Sequence, residues 1–260
     1  MDILSTTITF LGTSSVTPEA GRDTASFLIN RSILVDTGWN AAIRMLSFGV
    51  SPLDLDYLIF THCHHDHYIG LPHLLFYLRM RKRDRPDRPP LKIVGPADDI
   101  RKVIDLSRSF LQVERFPDVD NVPEVFPMVP GDELETEEFH LTTCDTIHAV
   151  QGLCYRFLDK ATEKTFGFSG DTAFHPPIAE HLKGCSFIIH EASHGANQPK
   201  NAKETGHSSA LEAAEIAKQA GAHTLALVHM REEIAMKAVQ AACSVFPGAF
   251  WPEDGETITL

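Results

Sequence analysis

The chain is expected to fold as an α/β protein. Short apolar runs of strand length alternate with longer stretches of helical spacing. The alternation occurs twice, giving two similar halves at about 1–130 and 131–260, read as one domain over 1–260. Histidines and acids gather just behind several of the apolar runs, where α/β proteins build their sites.

In the first half, strands are expected at 6–11, 25–29, 32–36, 57–61 and 92–95, all apolar or β-branched runs with polar flanks. Helices are expected at 40–47, 68–80 and 97–111; in the second of these Leu71, Leu74, Leu75 and Leu78 share one face. Residues 112–135 are rich in Pro and acids with weak periodicity, and read as a loop crossing between the halves. The second half has strand-like runs at 139–144, 153–158, 165–169, 187–191, 225–229 and 256–259. Its helices fall at 210–220 and 231–246. Ser209-Ala210-Leu211-Glu212 is a capping-box pattern opening the first of them, and Gly221 stands where that helix should stop.

With 260 residues and 43% hydrophobic content the chain can bury a substantial core. No run approaches the roughly 20 apolar residues of a membrane span. The start, Met-Asp-Ile-Leu-Ser-Thr, lacks the basic and apolar segments of a secretion signal. Cysteines 63, 144, 154, 185 and 243 are scattered without Cys-x-x-Cys spacing, as expected of reduced thiols in a cytoplasmic protein.

The most informative stretch is Thr61-His-Cys-His-His-Asp-His67, which places His62, His64, Asp66 and His67 on a strand-to-helix turn. Imidazoles and a carboxylate so concentrated suit a metal ion, zinc above all, although four ligands alone are compatible with a closed structural site. Three more residues stand just after candidate strands: His148 in Thr-Ile-His-Ala-Val, Asp171 in Phe-Ser-Gly-Asp-Thr, and His229 in Leu-Val-His-Met.

In this order the set resembles the signature of the metallo-β-lactamase superfamily, which implies a four-layer αβ/βα sandwich. The resemblance implies His62, His64 and His148 on one ion, Asp66, His67 and His229 on a second, and Asp171 bridging them. Two divalent ions, Zn2+ or alternatively Mn2+ or Fe2+, would clamp an oxyanion and hold a bridging hydroxide as nucleophile. An iron redox role is disfavoured because the second position is His64 and not a carboxylate. Cys63 lies where the family pattern needs no ligand. Asp36, in Leu-Val-Asp-Thr-Gly, is expected to hydrogen-bond beneath the metal loop, or to be a plain strand-end aspartate.

Phe187-Ile-Ile-His-Glu-Ala-Ser193 and Gly206-His-Ser-Ser-Ala210 resemble motifs of the ribonuclease Z-like phosphodiesterases. By that resemblance Glu191 orients His207, and His207 is the general acid for the leaving oxygen, with Asp66 the third catalytic residue. His207 also precedes the capping box, so it belongs equally to a helix start. Ser193–Glu204 reads as a mobile wall over the site. Among the remaining histidines, His73 and His194 are the candidates for lining the pocket.

The chain departs from bacterial ribonuclease Z in one respect. Those proteins insert a protruding arm, which grips tRNA, between the third histidine ligand and the bridging aspartate. Here Ala149 to Gly170 leave room only for a hairpin. The net charge of −12 also disfavours a polyanionic partner. One stretch opposes it: residues 79–92 hold seven basic and two acidic side chains, either a solvated face or a means of steering an anionic substrate. The expected function is therefore a dinuclear zinc phosphodiesterase acting on a small phosphodiester or short nucleic acid, with tRNA docking doubtful and no membrane partner. An acyl hydrolase of lactones, thioesters or β-lactams, or a non-catalytic metal-binding relative, is the alternative. A homodimer is suggested only by analogy with relatives.

Overall fold

The computed structural model describes residues 5–197 and 202–260; the opening Met1–Leu4, read above for a secretion signal, and residues 198–201 of the expected wall lie outside them. Two seven-stranded sheets face each other across a shared apolar layer. The first contains β1 (Thr7–Gly12), β2 (Ser26–Ile29), β3 (Ile33–Val35), β4 (Tyr57–Ile59), β5 (Lys92–Pro96) and β6 (Glu124–Met128). The second contains β7 (Glu133–Glu135), β8 (Phe139–Asp145), β9 (Leu153–Asp159), β10 (Lys164–Phe168), β11 (Phe187–Glu191), β12 (Thr224–Val228) and β13 (Ala249–Phe250). The last strand, β14 (Thr257–Thr259), returns to the first sheet beside β1.

In each sheet antiparallel pairing gives way to parallel pairing, at β3–β4 in one and β10–β11 in the other. Parallel neighbours need crossovers, and these carry the helices. On the first sheet they are α1 (Ala41–Ser47), α2 (His65–Tyr68), α3 (Leu71–Met80) and α4 (Ile100–Phe110). On the second they are α5 (Pro177–His181), α6 (Ala202–Thr205), α7 (Ala210–Ala220) and α8 (Glu232–Val245). Leu71, Leu74, Leu75 and Leu78 bury the expected face of α3 against Leu34, Leu58 and Ile93. Ala213, Ala214, Ile216 and Ala217 of α7 pack on Ile188, Leu225 and Leu227. The layers therefore run helix, sheet, sheet, helix.

Aromatic rings fill the inter-sheet layer. Phe166 faces Phe157, and Phe168 faces Tyr155, in the β9–β10 register. Their ring centroids lie 5.0 and 5.1 Å apart. Phe27 from the first sheet meets Phe168 edge-on at 5.4 Å, so the two halves interlock through ring contacts.

Several elements depart from the sequence expectation. Residues 112–135 are no plain loop, since they supply the neighbouring strands β6 and β7, which end their sheets. Edge strands are half-exposed and tolerate proline (here Pro127), so their pattern is weak. The helix expected over 68–80 breaks at Gly70. Its N–H donates to Gly38 O at 3.0 Å, and a Cβ at this position would lie 2.9 Å from the Gly38 and Thr37 carbonyl oxygens. The short α5 and β13 had no readable signal.

Candidate metal centre and acid–base pair

Five of the expected site residues lie at or just beyond the end of a strand, and His207 lies between α6 and α7. His62 follows β4, His148 follows β8, Asp171 follows β10, Glu191 ends β11 and His229 follows β12. His64 precedes α2, while Asp66 and His67 lie within it. The strand ends converge, so residues up to 167 positions apart share one cluster.

Within it, the ligand atoms of His62, His64 and His148 lie within 4.8 Å of one another, as do those of Asp66, His67 and His229. Asp171 stands between the two groups. Its Oδ2 lies 3.6 Å from His62 Nε2 and His67 Nε2, 3.4 Å from His229 Nε2 and 4.0 Å from His148 Nε2. His64 Nδ1 and His148 Nε2 approach to 2.8 Å, a hydrogen-bond spacing for two imidazoles.

Four of the five rings are pinned through the nitrogen facing away from the centre. Thr61 Oγ1 lies 3.1 Å from His62 Nδ1, Asp36 Oδ2 2.8 Å from His67 Nδ1, Gly206 O 2.8 Å from His148 Nδ1, and Ser193 Oγ 2.8 Å from His229 Nδ1. Asp36 also accepts from Thr61 N at 2.9 Å and Thr61 Oγ1 at 2.7 Å, so it does bond beneath the metal loop. Gly206 adopts φ +72, and a Cβ there would meet His148 Nδ1 at 2.8 Å. His62 Nε2 and His67 Nε2 are buried with no hydrogen-bond partner, which costs about 1–3 kcal/mol each if nothing fills the gap. A divalent cation fits them. The donor set of imidazoles and carboxylates suits zinc, manganese or iron.

The electrostatics agree with a site built for positive charge. Burial holds the His62 imidazole well below its ordinary value, and depresses His64 and His148 less. Burial would lower His67 and His229 too, but the Asp171 carboxylate, with Asp36 on His67 and Asp66 on His229, outweighs it and raises both. Burial opposes ionisation of Asp171; the surrounding imidazoles prevail and hold it well below the carboxylate range. Metal binding would displace the protons that His67 and His229 hold in the protein's own field. Cys63 is different: burial pushes its thiol up to about 12, and it joins no candidate cluster among the described residues.

Beside the cluster, His207 Nδ1 lies 2.9 Å from Glu191 Oε1. Glu191 is fully buried, and its carboxylate also accepts from Thr172 N at 2.9 Å, Ser193 N at 2.9 Å and Ser193 Oγ at 2.8 Å. Burial alone would lower His207, yet the Glu191 bond and charge, helped by Asp171, lift it to about 9. His207 lies beside the capping box, which Ser209 and Glu212 form without it. His194 stands with its ring 6.0 Å from His207. His73 joins none of the candidate ligand groups among the described residues; it lines an apolar cavity of about 440 Å³ with Trp39, Tyr68 and Phe110.

The basic stretch also lies elsewhere. Arg85 bonds Asp54, and Arg88 bonds the Leu53 and Leu55 carbonyls, residues that precede β4, whereas the cluster follows β4. The ten residues of α3 carry the chain about 15 Å from the metal loop to this opposite edge. Arg85 and Arg88 brace the loop before β4. Ser193 touches both histidine and glutamate, and its place two residues after Glu191 is the one sign of this in the sequence.

A family model described as the beta-lactamase superfamily domain matches residues 31–230. The chain belongs to this superfamily. It is 28% identical to a ribonuclease Z of Methanothermobacter thermautotrophicus, covering 97% of this chain and 96% of the relative. That alignment spans 306 positions, more than the 260 residues here, so the relative carries insertions this chain lacks. Among solved structures, the metallo-beta-lactamase fold protein YhfI from Bacillus subtilis superposes with a TM-score of 0.84 at 24% identity, over 99% of this chain and 100% of the other. The short form of human tRNase Z gives 0.76 at 20% identity, over 97% and 98%. The superfamily fold and the ribonuclease Z likeness, with the His/Asp cluster, support a metal-dependent hydrolase of the phosphodiesterase type.

Proposed function

We propose that this superfamily member is a dinuclear metal phosphodiesterase in which His207 protonates the leaving oxygen. The observation that carries the reading is the 2.9 Å Glu191–His207 pair set against the seven-residue His/Asp cluster. His62, His64 and His148 would hold one cation, Asp66, His67 and His229 the other, with Asp171 between. When bound, the cations, zinc in our reading, would activate water and offset charge on the phosphoryl oxygens.

The chain's own residues supply the rest. Water oxygen bonds to phosphorus and its proton passes to solvent, the bond from phosphorus to the leaving oxygen breaks, and that oxygen takes a proton from His207. Glu191 occupies His207 Nδ1–H, which leaves Nε2–H as the ring's other donor. Asp66 and Asp171, both nearly buried and ionised, supply negative charge that keeps the cations in place.

The substrate we favour is a small diester or the accessible end of a short nucleic acid. β9 and β10 join by a short hairpin across 160–163, so the arm position of bacterial ribonuclease Z is vacant. The basic stretch faces the other edge. We further place the protein in the cytoplasm, since its five cysteines are free; no helix among the described residues is long and apolar enough to cross a membrane.

The test is a panel on zinc-reconstituted protein comparing bis(p-nitrophenyl) phosphate with p-nitrophenyl esters, a lactone and a β-lactam. Preference for the diester supports the proposal. Preference for an acyl substrate by orders of magnitude overturns it.

A further inference from the structure

Ser193 stands between a candidate metal ligand and the acid-orienting glutamate. Its Oγ lies 2.8 Å from His229 Nδ1 and 2.8 Å from Glu191 Oε2. The proton direction follows from elementary chemistry. An ionised carboxylate only accepts, so the single hydroxyl hydrogen of Ser193 points at Glu191. The hydroxyl oxygen then accepts from His229 Nδ1–H, which leaves His229 Nε2, 3.1 and 3.4 Å from the Asp66 and Asp171 oxygens, to offer its lone pair to a cation shared with those carboxylates. On the far side, Glu191 Oε1 accepts from His207 Nδ1–H at 2.9 Å, and Ser193 Oγ itself lies 3.2 Å from the same nitrogen. One hydroxyl thus fixes the tautomer of a ligand and the rotamer of the carboxylate behind the acid.

The first sheet carries a counterpart. Thr61 Oγ1 donates to Asp36 Oδ2 at 2.7 Å and lies 3.1 Å from His62 Nδ1, while Asp36 Oδ2 holds His67 Nδ1 at 2.8 Å. In both places a hydroxyl and a buried carboxylate jointly orient two imidazoles. The difference is what they orient. Asp36 and Thr61 hold two ligands, whereas Glu191 and Ser193 hold one ligand and the acid.

We infer that Ser193 is a positioning residue that ties metal binding at His229 to the orientation of His207 through Glu191. The inference rests on the functional reading above and specifies how its two parts are joined. The hydroxyl is the only atom of Ser193 it needs, because the backbone N–H of Ser193 reaches Glu191 Oε2 at 2.9 Å whatever the side chain.

The experiment compares Ser193→Thr with Ser193→Val, side chains of nearly equal shape in which a methyl replaces the hydroxyl. Zinc affinity of the full chain is measured by competition with a chromophoric chelator. Turnover is measured on bis(p-nitrophenyl) phosphate and on a dinucleoside monophosphate, whose alkoxide needs a proton. Partners that orient a ligand are worth about 10–100-fold in metal affinity. Ser193→Val should weaken the looser zinc by about tenfold or more. It should also lower the ratio of dinucleotide to nitrophenyl turnover, and Ser193→Thr should restore both. Equal zinc affinity in Val and Thr variants overturns the inference, and so does weakened zinc with an unchanged ratio. A wild type that cleaves neither diester would sink the phosphodiesterase reading instead, while the zinc comparison would still decide the role of Ser193.

Discussion

Replacing Glu191 with Gln probes the acid with little change in shape. The Glu191 carboxylate receives four donors, Thr172 N and His207 Nδ1 on Oε1 and the N and Oγ of Ser193 on Oε2. An amide must turn its NH2 toward one of these pairs, so a buried donor faces donors, at a cost of about 1–3 kcal/mol. His207 also loses the partner that lifts it, against burial, to about 9, and falls toward its ordinary 6.5. At pH 7.5 the protonated fraction would drop from nearly all to ~10%, a roughly tenfold loss before orientation is counted. Acid catalysis contributes about 10²–10⁴-fold in full, so turnover of a dinucleoside monophosphate should fall by about 10–10³-fold. Nitrophenolate leaves without a proton, and bis(p-nitrophenyl) phosphate should lose no more than about threefold. The assay is steady-state turnover of both substrates at saturating zinc. Equal losses on the two would refute the acid assignment.

Three further outcomes follow from the same geometry. Because His207 is raised to about 9, its acid form is present below that pH and is lost as pH rises through it. Alkoxide-leaving turnover of the wild type should therefore decline above about 9, and in Glu191→Gln the decline should begin at lower pH, as a pH–rate profile would show. Asp36→Asn keeps an oxygen for only one side, so an NH2 faces either Thr61 N or the pair Thr61 Oγ1 and His67 Nδ1, and should weaken zinc by about 10–100-fold in chelator competition. Arg88→Ala should leave diester turnover within about twofold yet lower Tm by about 2–4 °C, since Arg88 braces the Leu53 and Leu55 carbonyls far from the cleft.

Much of the site could be read from the chain because its chemistry is local to strand ends. The His62–His67 packet declares itself through residue type and spacing, and His148, Asp171 and His229 each follow an apolar run by one to three residues. Helix α7 was equally legible: Ser209 and Glu212 form both halves of the capping box, and Gly221 closes it at φ +75. Where packing partners set the outcome, the chain was silent. β6 and β7 are edge strands with one row of neighbours, so they lack the apolar alternation of β8 and β9. The break at Gly70 depends on Gly38, thirty-two positions earlier. The basic run appeared to leave the metal loop along α3, but a helix also has a far end, and sequence gives no edge of a sheet. Ser193 carried no charge and no ring, and its importance lies wholly in what stands within 3 Å of it.

Elemental analysis of metal-replete wild-type protein beside Asp171→Ala addresses the central claim, that seven side chains from both sheets hold a pair of cations. Asp171 Oδ2 lies within 4.0 Å of ligand nitrogens from both groups. The wild type should carry about two transition-metal ions per chain, and Asp171→Ala markedly fewer, with diester turnover lost alongside. A wild type without bound metal, or an Asp171→Ala protein that retains both ions and full turnover, would contradict it.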